Sequence, residues 1–155
     1  MSDINSFKAK IQEGYQFSGE SIVIGAAMFN HEVVEGLQVK LPLKTLNRHG
    51  LIAGATGTGK TKTLQCLAEQ LSKCGVPSLL MDIKGDLSGI AIAGESNSKI
   101  LDRTQKIGID FSPEGNTVEL LSLSQEKGAR LRATVTEFGP VLFSKILDLN
   151  DTQSG

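Results

Sequence analysis

Residues Gly54 to Thr61 read G-A-T-G-T-G-K-T, a full match to the pattern G-x-x-x-x-G-K-[ST], and their flanks call for a strand, a loop and a helix in that order. Ahead of them Leu51, Ile52 and Ala53 form a short apolar run with the composition of a buried parallel strand. Behind them, Lys60 to Cys74 places Leu64, Leu67, Ala68 and Leu71 at the i, i+3, i+4, i+7 spacing of a helix with one buried face. A phosphate chain needs several backbone N–H donors converging on one point. Glycines at 54, 57 and 59 let a loop wrap that closely, and the helix behind aims its positive end at the same place. On this reading Lys60 reaches the β- and γ-phosphates as the one candidate catalytic group. The Thr61 hydroxyl is the candidate Mg²⁺ ligand, and the backbone from Thr56 to Gly59 cradles the phosphates. The candidate nucleotide contacts are Gly54, Ala55, Thr56, Gly57, Thr58, Gly59, Lys60, Thr61, Thr63 and Asp82. The plainer alternative is a glycine-rich turn between a strand and a helix.

The 155 residues suffice for one α/β domain with a core and are too few for two. Sixteen basic residues are scattered among seventeen acidic ones, and this net charge of −1 forms no basic stripe of the kind that marks nucleic-acid binding. Met1 to Asn5 lacks a basic region followed by an apolar stretch, and no apolar run approaches a membrane span, so a cytoplasmic protein without a membrane partner is expected. Cys66 and Cys74 fall on the same helix, roughly 12 Å apart at 1.5 Å rise per residue, too far for a disulfide. Both read as reduced helix residues, with no neighbouring ligand cluster to make them a metal pair.

Residues 1–43 form an N-terminal segment, and 44–155 the nucleotide-binding domain. A short helix is expected around Ile4 to Glu13. Ser21 to Met28 and Val33 to Leu41, separated by the polar bend Asn30-His31-Glu32 and closed by Pro42, read as a small antiparallel hairpin or partial barrel. After the P-loop helix, Gly75 stands at a helix stop with Pro77 two residues on. Ser78 to Ile83 reads as a second, fully buried parallel strand, and a β-α-β unit of this kind crosses over right-handed. Asn97 to Ile107 has helical spacing. Ile109 to Phe111 and Thr117 to Leu121 are strand candidates around a turn at 112–116, and Thr136 to Leu149 reads as a helix with Pro140 in its first turn.

Asp82 closes the second expected strand and imitates a Walker B aspartate, although it follows Lys60 by only one crossover and Ile83 stands where a glutamate often follows. Asp82-Ile83-Lys84-Gly85 also spells D-x-x-G, a γ-phosphate sensor in small GTPases, but no N-K-x-D guanine-reading motif accompanies it. Two readings of Asp82 stay open. It caps the following loop through its own backbone, or, at the carboxyl end of its strand, it faces the nucleotide site or a polymer passing over it, together with Lys84 and Asp86. His49 reads first as a hydrogen-bonded structural residue. Arg130 and Arg132 read as surface charges or as phosphate contacts from a neighbouring subunit.

Leu41 to Thr61 (L-P-L-K-T-L-N-R-H-G-L-I-A-G-A-T-G-T-G-K-T), followed by M-D-I-K-G-D-L-S-G at Met81 to Gly89, resembles the HerA/FtsK-type P-loop ATPases, above all their YjgR-like branch. Phe138 to Gly155 resembles that branch as well. The P-loop itself is generic, and D-x-K-G-D one crossover later is the more specific part. The resemblance implies a RecA-like core, ATP rather than GTP, Mg²⁺, and a ring-shaped homo-oligomer that moves nucleic acid. It also implies an N-terminal fragment, with the Walker B strand and arginine finger lying beyond Gly155.

Together these readings give an α/β, three-layer P-loop NTPase domain with a RecA-like parallel sheet, incomplete at its C-terminus and preceded by a small β-rich element. The expected activity is Mg-ATP binding by a helicase-type motor domain, this chain alone binding without efficient hydrolysis. The alternatives are a P-loop GTPase, a small-molecule kinase and a non-catalytic nucleotide-binding regulatory module.

Overall fold

The alternating run ahead of Gly54 forms the sheet on which three helices pack. In the computed structural model, which describes residues 3–150, β1 (Ser21–Phe29) and β2 (Glu32–Pro42) pair antiparallel from Phe29↔Glu32 at the turn to Ser21↔Pro42 at the open end. Asn30 and His31 make the two-residue turn, with φ of 49° and 67°. Left-handed backbone at both positions matches the right-handed twist of the strands, and asparagine tolerates it well. The register shifts twice, between Val23 and Gly25 and between Ala26 and Met28. Val34 and Leu37 are three apart, so in a regular strand they would face opposite sides. The second shift, with Gly36 at φ 69° between them, lets both join Ala27 in one buried cluster.

Helix α1 (Ile4–Gly14) closes that cluster. The Asp3 side chain caps its start by accepting from the Asn5 N–H at 3.2 Å. Phe7 and Ile11, one turn apart, pack on the hairpin, and the Phe7 ring lies 5.2 Å from that of Phe29.

Two more helices attach to the hairpin, each through a glutamine. Helix α2 (Lys60–Lys73) buries Ala68 and packs on β1. Its Gln70 amide accepts from the Val23 N–H at 2.8 Å and donates to the Val23 carbonyl at 2.7 Å, supplying both hydrogen bonds that a neighbouring strand would. The helix ends as its sequence requires. Gly75 has φ 72°, its N–H reaches the Ser72 carbonyl, and the Val76 N–H reaches the Leu71 carbonyl, which together make a Schellman stop. Helix α3 (Ser98–Ile107) is capped by the Asn97 side chain, which accepts from the Ile100 N–H at 3.0 Å. It packs on β2, and Gln38 Nε2 donates to the carbonyls of Ile107 at 3.2 Å and Gly108 at 2.8 Å.

The expected parallel sheet is not formed. Neither Leu51 to Ala53 nor Ser78 to Ile83 enters a sheet, and Leu51, Leu79, Met81 and Ile83 are 89%, 80%, 88% and 100% exposed. Apolar composition alone does not make a strand, because a strand exists only through a ladder to its neighbour. Helix α2 packs on β1 instead, through Gln70 and Val23. Ile109 to Phe111 is likewise not a strand, and Asn116 ties the following turn to the Ile90 carbonyl through its backbone N–H and side-chain amide, each at 3.1 Å.

Contacts divide the chain into two compact units, Met1–Val118 and Glu119–Gly155. In the second, β3 (Leu121–Ser122) pairs in parallel with β4 (Ala129–Arg130), so only the end of the expected 117–121 strand exists. A β-carbon on Gly128 would meet the Leu120 carbonyl oxygen at 2.5 Å, so this return of the chain requires glycine. Helix α4 (Val135–Ile146) opens with a reciprocal capping box between Thr134 and Glu137. The expected continuous helix is broken at Gly139 (φ 68°, ψ 163°). Pro140 excludes helical backbone from the residue before it, so it begins a second helical segment rather than sitting inside one. No helix among the described residues is long and apolar enough to cross a membrane.

Candidate functional site

The three glycines within residues 54–61 stand where a β-carbon would clash or be strained. The loop folds on itself at Thr58, whose hydroxyl donates to the Ala55 carbonyl at 2.8 Å. A β-carbon on Gly54 would stand 2.5 Å from that hydroxyl oxygen. Gly57 and Gly59 have φ of 82° and 95°, where a residue with a β-carbon is strained. Gly59 is also the N-cap of α2 and brings no side chain to its first turn, so the loop hands directly on to the positive end of the helix.

Three side chains of that first turn have defined places. Lys60 folds back over the loop, its Nζ donating to the carbonyls of Gly54 at 2.8 Å and Ala55 at 2.7 Å. Those bonds engage two of the ammonium's three N–H groups and fix the charge above the loop. The Thr63 hydroxyl donates to the Gly59 carbonyl at 3.1 Å, bracing the helix start. The Thr61 hydroxyl donates out of the helix, to Asp86 Oδ2 at 3.2 Å.

The D-I-K-G-D segment comes to the same place. Asp82 Oδ1 accepts from the N–H groups of Lys84 at 3.2 Å and Gly85 at 2.8 Å, and its Oδ2 accepts from Leu87 at 2.8 Å. Desolvation pulls its pKa up, but the N–H donors of Leu87, Gly85, Lys84 and Ser88 outweigh this and hold the carboxyl below the ordinary aspartate range. Of the two readings open for Asp82, the structure shows the cap: its carboxylate is turned onto the backbone of its own loop. That loop is anchored by buried Leu87, and it carries Asp86 to Thr61. Gln65 Nε2 donates to the Asp86 carbonyl at 2.9 Å.

Sequence reasoning placed Asp86 near the site without linking it to Thr61, and it missed Gln65. The signal was available. Gln65 follows Thr61 by four residues, so the two lie on one face of α2 and reach the same neighbour. Lys84 is exposed on the capped loop, and His49 is exposed ahead of the P-loop. Arg130 lies in the second unit, where its guanidinium donates to the Ser124 carbonyl at 2.8 Å; Arg132 is exposed two residues on. Cys66 and Cys74 are free thiols. Desolvation, then the neighbouring Glu69 charge, pushes the Cys66 pKa up against the pull of Lys62, which makes it a poor nucleophile.

The residues present suit a bound nucleotide phosphate with a hard cation. The loop is shaped by glycines where a β-carbon would clash or strain, and a lysine ammonium stands over it at a helix N-terminus. The oxygens of Thr61 and Asp86, neighbours at its rim, are the hard donors that Mg²⁺ takes while keeping several waters. The family described as helicase HerA-like C-terminal matches residues 29–155, most of the chain. Comparison with curated proteins and with solved structures finds no match.

Proposed function

The chain belongs to the helicase HerA-like C-terminal family, and from that premise we propose that it binds Mg-ATP at Gly54–Thr61 as part of an ATP-driven motor. The observation that carries this reading is Lys60 held over the carbonyls of Gly54 and Ala55 at the start of α2, in a loop with glycine at three positions where a β-carbon would clash or be strained. Lys60 meets the β- and γ-phosphates, and the backbone of residues 54–59 cradles them. Thr61 offers its hydroxyl to the cation. Thr63 keeps the first turn closed, and Asp82 serves the site by shaping the loop opposite. When bound, Mg²⁺ neutralises charge on the phosphate oxygens.

The word helicase in the family's description points to nucleic acid as the polymer acted on. A ring of copies belongs to the same proposal. The test is thermal melting with Mg-ATP. At 100-fold above the dissociation constant, binding adds about 2.7 kcal/mol, or roughly 5–10 °C for a chain of this length. Lys60→Ala removes most of that shift, while its ligand-free melt stays close to wild type because the lost hydrogen bonds are solvent-exposed. An equal shift in the variant would falsify the assignment.

A further inference from the structure

We propose that Asp86 is a cation ligand of this site, its carboxylate forming with the Thr61 hydroxyl the protein's share of a Mg²⁺ shell. The inference rests on the reading of residues 54–61 as a Mg-ATP loop. Its first support is a distance. Thr61 Oγ1 and Asp86 Oδ2 are 3.2 Å apart. Oxygens on adjacent corners of an octahedron with Mg–O bonds of about 2.0–2.1 Å lie about 2.8–3.0 Å apart. The pair therefore stands within a few tenths of an ångström of the separation a shared cation requires. In the structure the Thr61 hydroxyl donates to the carboxylate across that gap. A cation takes the place of that hydrogen bond when the hydroxyl rotates its proton outward, and no covalent bond changes.

The second support is that Asp86 is held there from several directions. Gln65 Nε2, one helical turn beyond Thr61, donates to the Asp86 carbonyl at 2.9 Å. Asp82 accepts from the N–H groups of Gly85 and Leu87, the residues on either side, at 2.8 Å each. Leu87 is itself buried. An exposed carboxylate positioned this firmly beside a phosphate loop repels a metal-free triphosphate, and a cation between them reverses that sign. The D-I-K-G-D segment thus has a division of labour, in which Asp82 positions the loop and Asp86 carries the charge.

Calorimetric titration of ATP into wild type, Asp86→Asn, Asp86→Glu and Lys60→Ala, with excess Mg²⁺ and again in EDTA, tests this. Asparagine keeps an acceptor for the Thr61 hydroxyl and removes the charge. In Asp86→Asn the affinity gained on adding Mg²⁺ falls by about 10–100-fold, the range for groups that support a bound metal. Binding in EDTA is unchanged or tighter, since the repulsion is gone. Asp86→Glu regains part of the Mg²⁺ dependence, and it carries the test if the ligand-free melt shows Asp86→Asn to be unfolded. Equal Mg²⁺ dependence in wild type and Asp86→Asn overturns the proposal and leaves the ATP reading standing. Equal weakening with and without Mg²⁺ also overturns it, and makes Asp86 a brace between loop and helix. If Lys60→Ala binds ATP like wild type, the loop reading itself falls.

Discussion

The Asp82 carboxylate accepts three backbone N–H bonds from the loop that follows it, and those bonds form best when it is ionised. Its pKa in the folded chain is lowered, so the stabilisation is complete above the unfolded value of about 3.9 and disappears as pH falls through the lower folded value. Amide exchange read by NMR reports this directly. The Gly85 and Leu87 N–H groups keep their protection, relative to the amides of α2, down through the ordinary aspartate range and lose it only below. Loss centred well above pH ~4 would show that the cap does not set the loop. The residue scale is also where the sequence was most legible. Glycine at 57, 59 and 75 announces a left-handed backbone, and each has one. Lys60 and Thr61 give the expectation of a phosphate loop by type and spacing. Which carboxylate would meet Thr61 was not legible, because Asp82 and Asp86 differ only in how the intervening turn folds.

Among the helices, local signals set the ends and long-range bonds set the docking. Asp3, Asn97 and Thr134 cap α1, α3 and α4 with their own side chains. The docking of α2 depends on Gln70, whose amide satisfies both backbone groups of Val23, forty-seven residues away. Gln70→Ala leaves a part-buried N–H and carbonyl without their partner and lowers stability by about 1–3 kcal/mol. Gln65→Ala, on the same helix but bonded to an exposed carbonyl, stays within about 0.5 kcal/mol of wild type. Urea titration of the two variants separates them, and comparable losses would mean that Gln70 is not the clamp. Nothing in the spacing of α2 marked Gln70 as different from Gln65. Both are polar residues on a helix, and only the position of β1 distinguishes them.

At the scale of the whole molecule, the buried apolar core is small and centred on the hairpin. Leu37 joins Ala27 and Val34 there, under Phe7 and Ile11 of α1. Leu37→Ala removes the largest side chain of that cluster at a cost of about 2–5 kcal/mol, a large share of the about 5–15 kcal/mol typical of a domain. A chemical-denaturation midpoint that barely moves would place the real core elsewhere. The sequence by itself determined helices α1, α2 and α3, the hairpin with its Asn30-His31 turn, the glycine-shaped loop and the helix stop at Gly75. All of these depend on residues within a few positions of one another. Only the tertiary structure decided what became of Leu51 to Ala53 and Ser78 to Ile83, that Gln70 would complete the edge of β1, and that Asp86 rather than Asp82 would reach Thr61. The physical reason is common to all three. A strand, a clamp and a ligand pair each consist of partners distant along the chain, and an apolar run or a carboxylate carries no record of which partner the folded backbone brings to it.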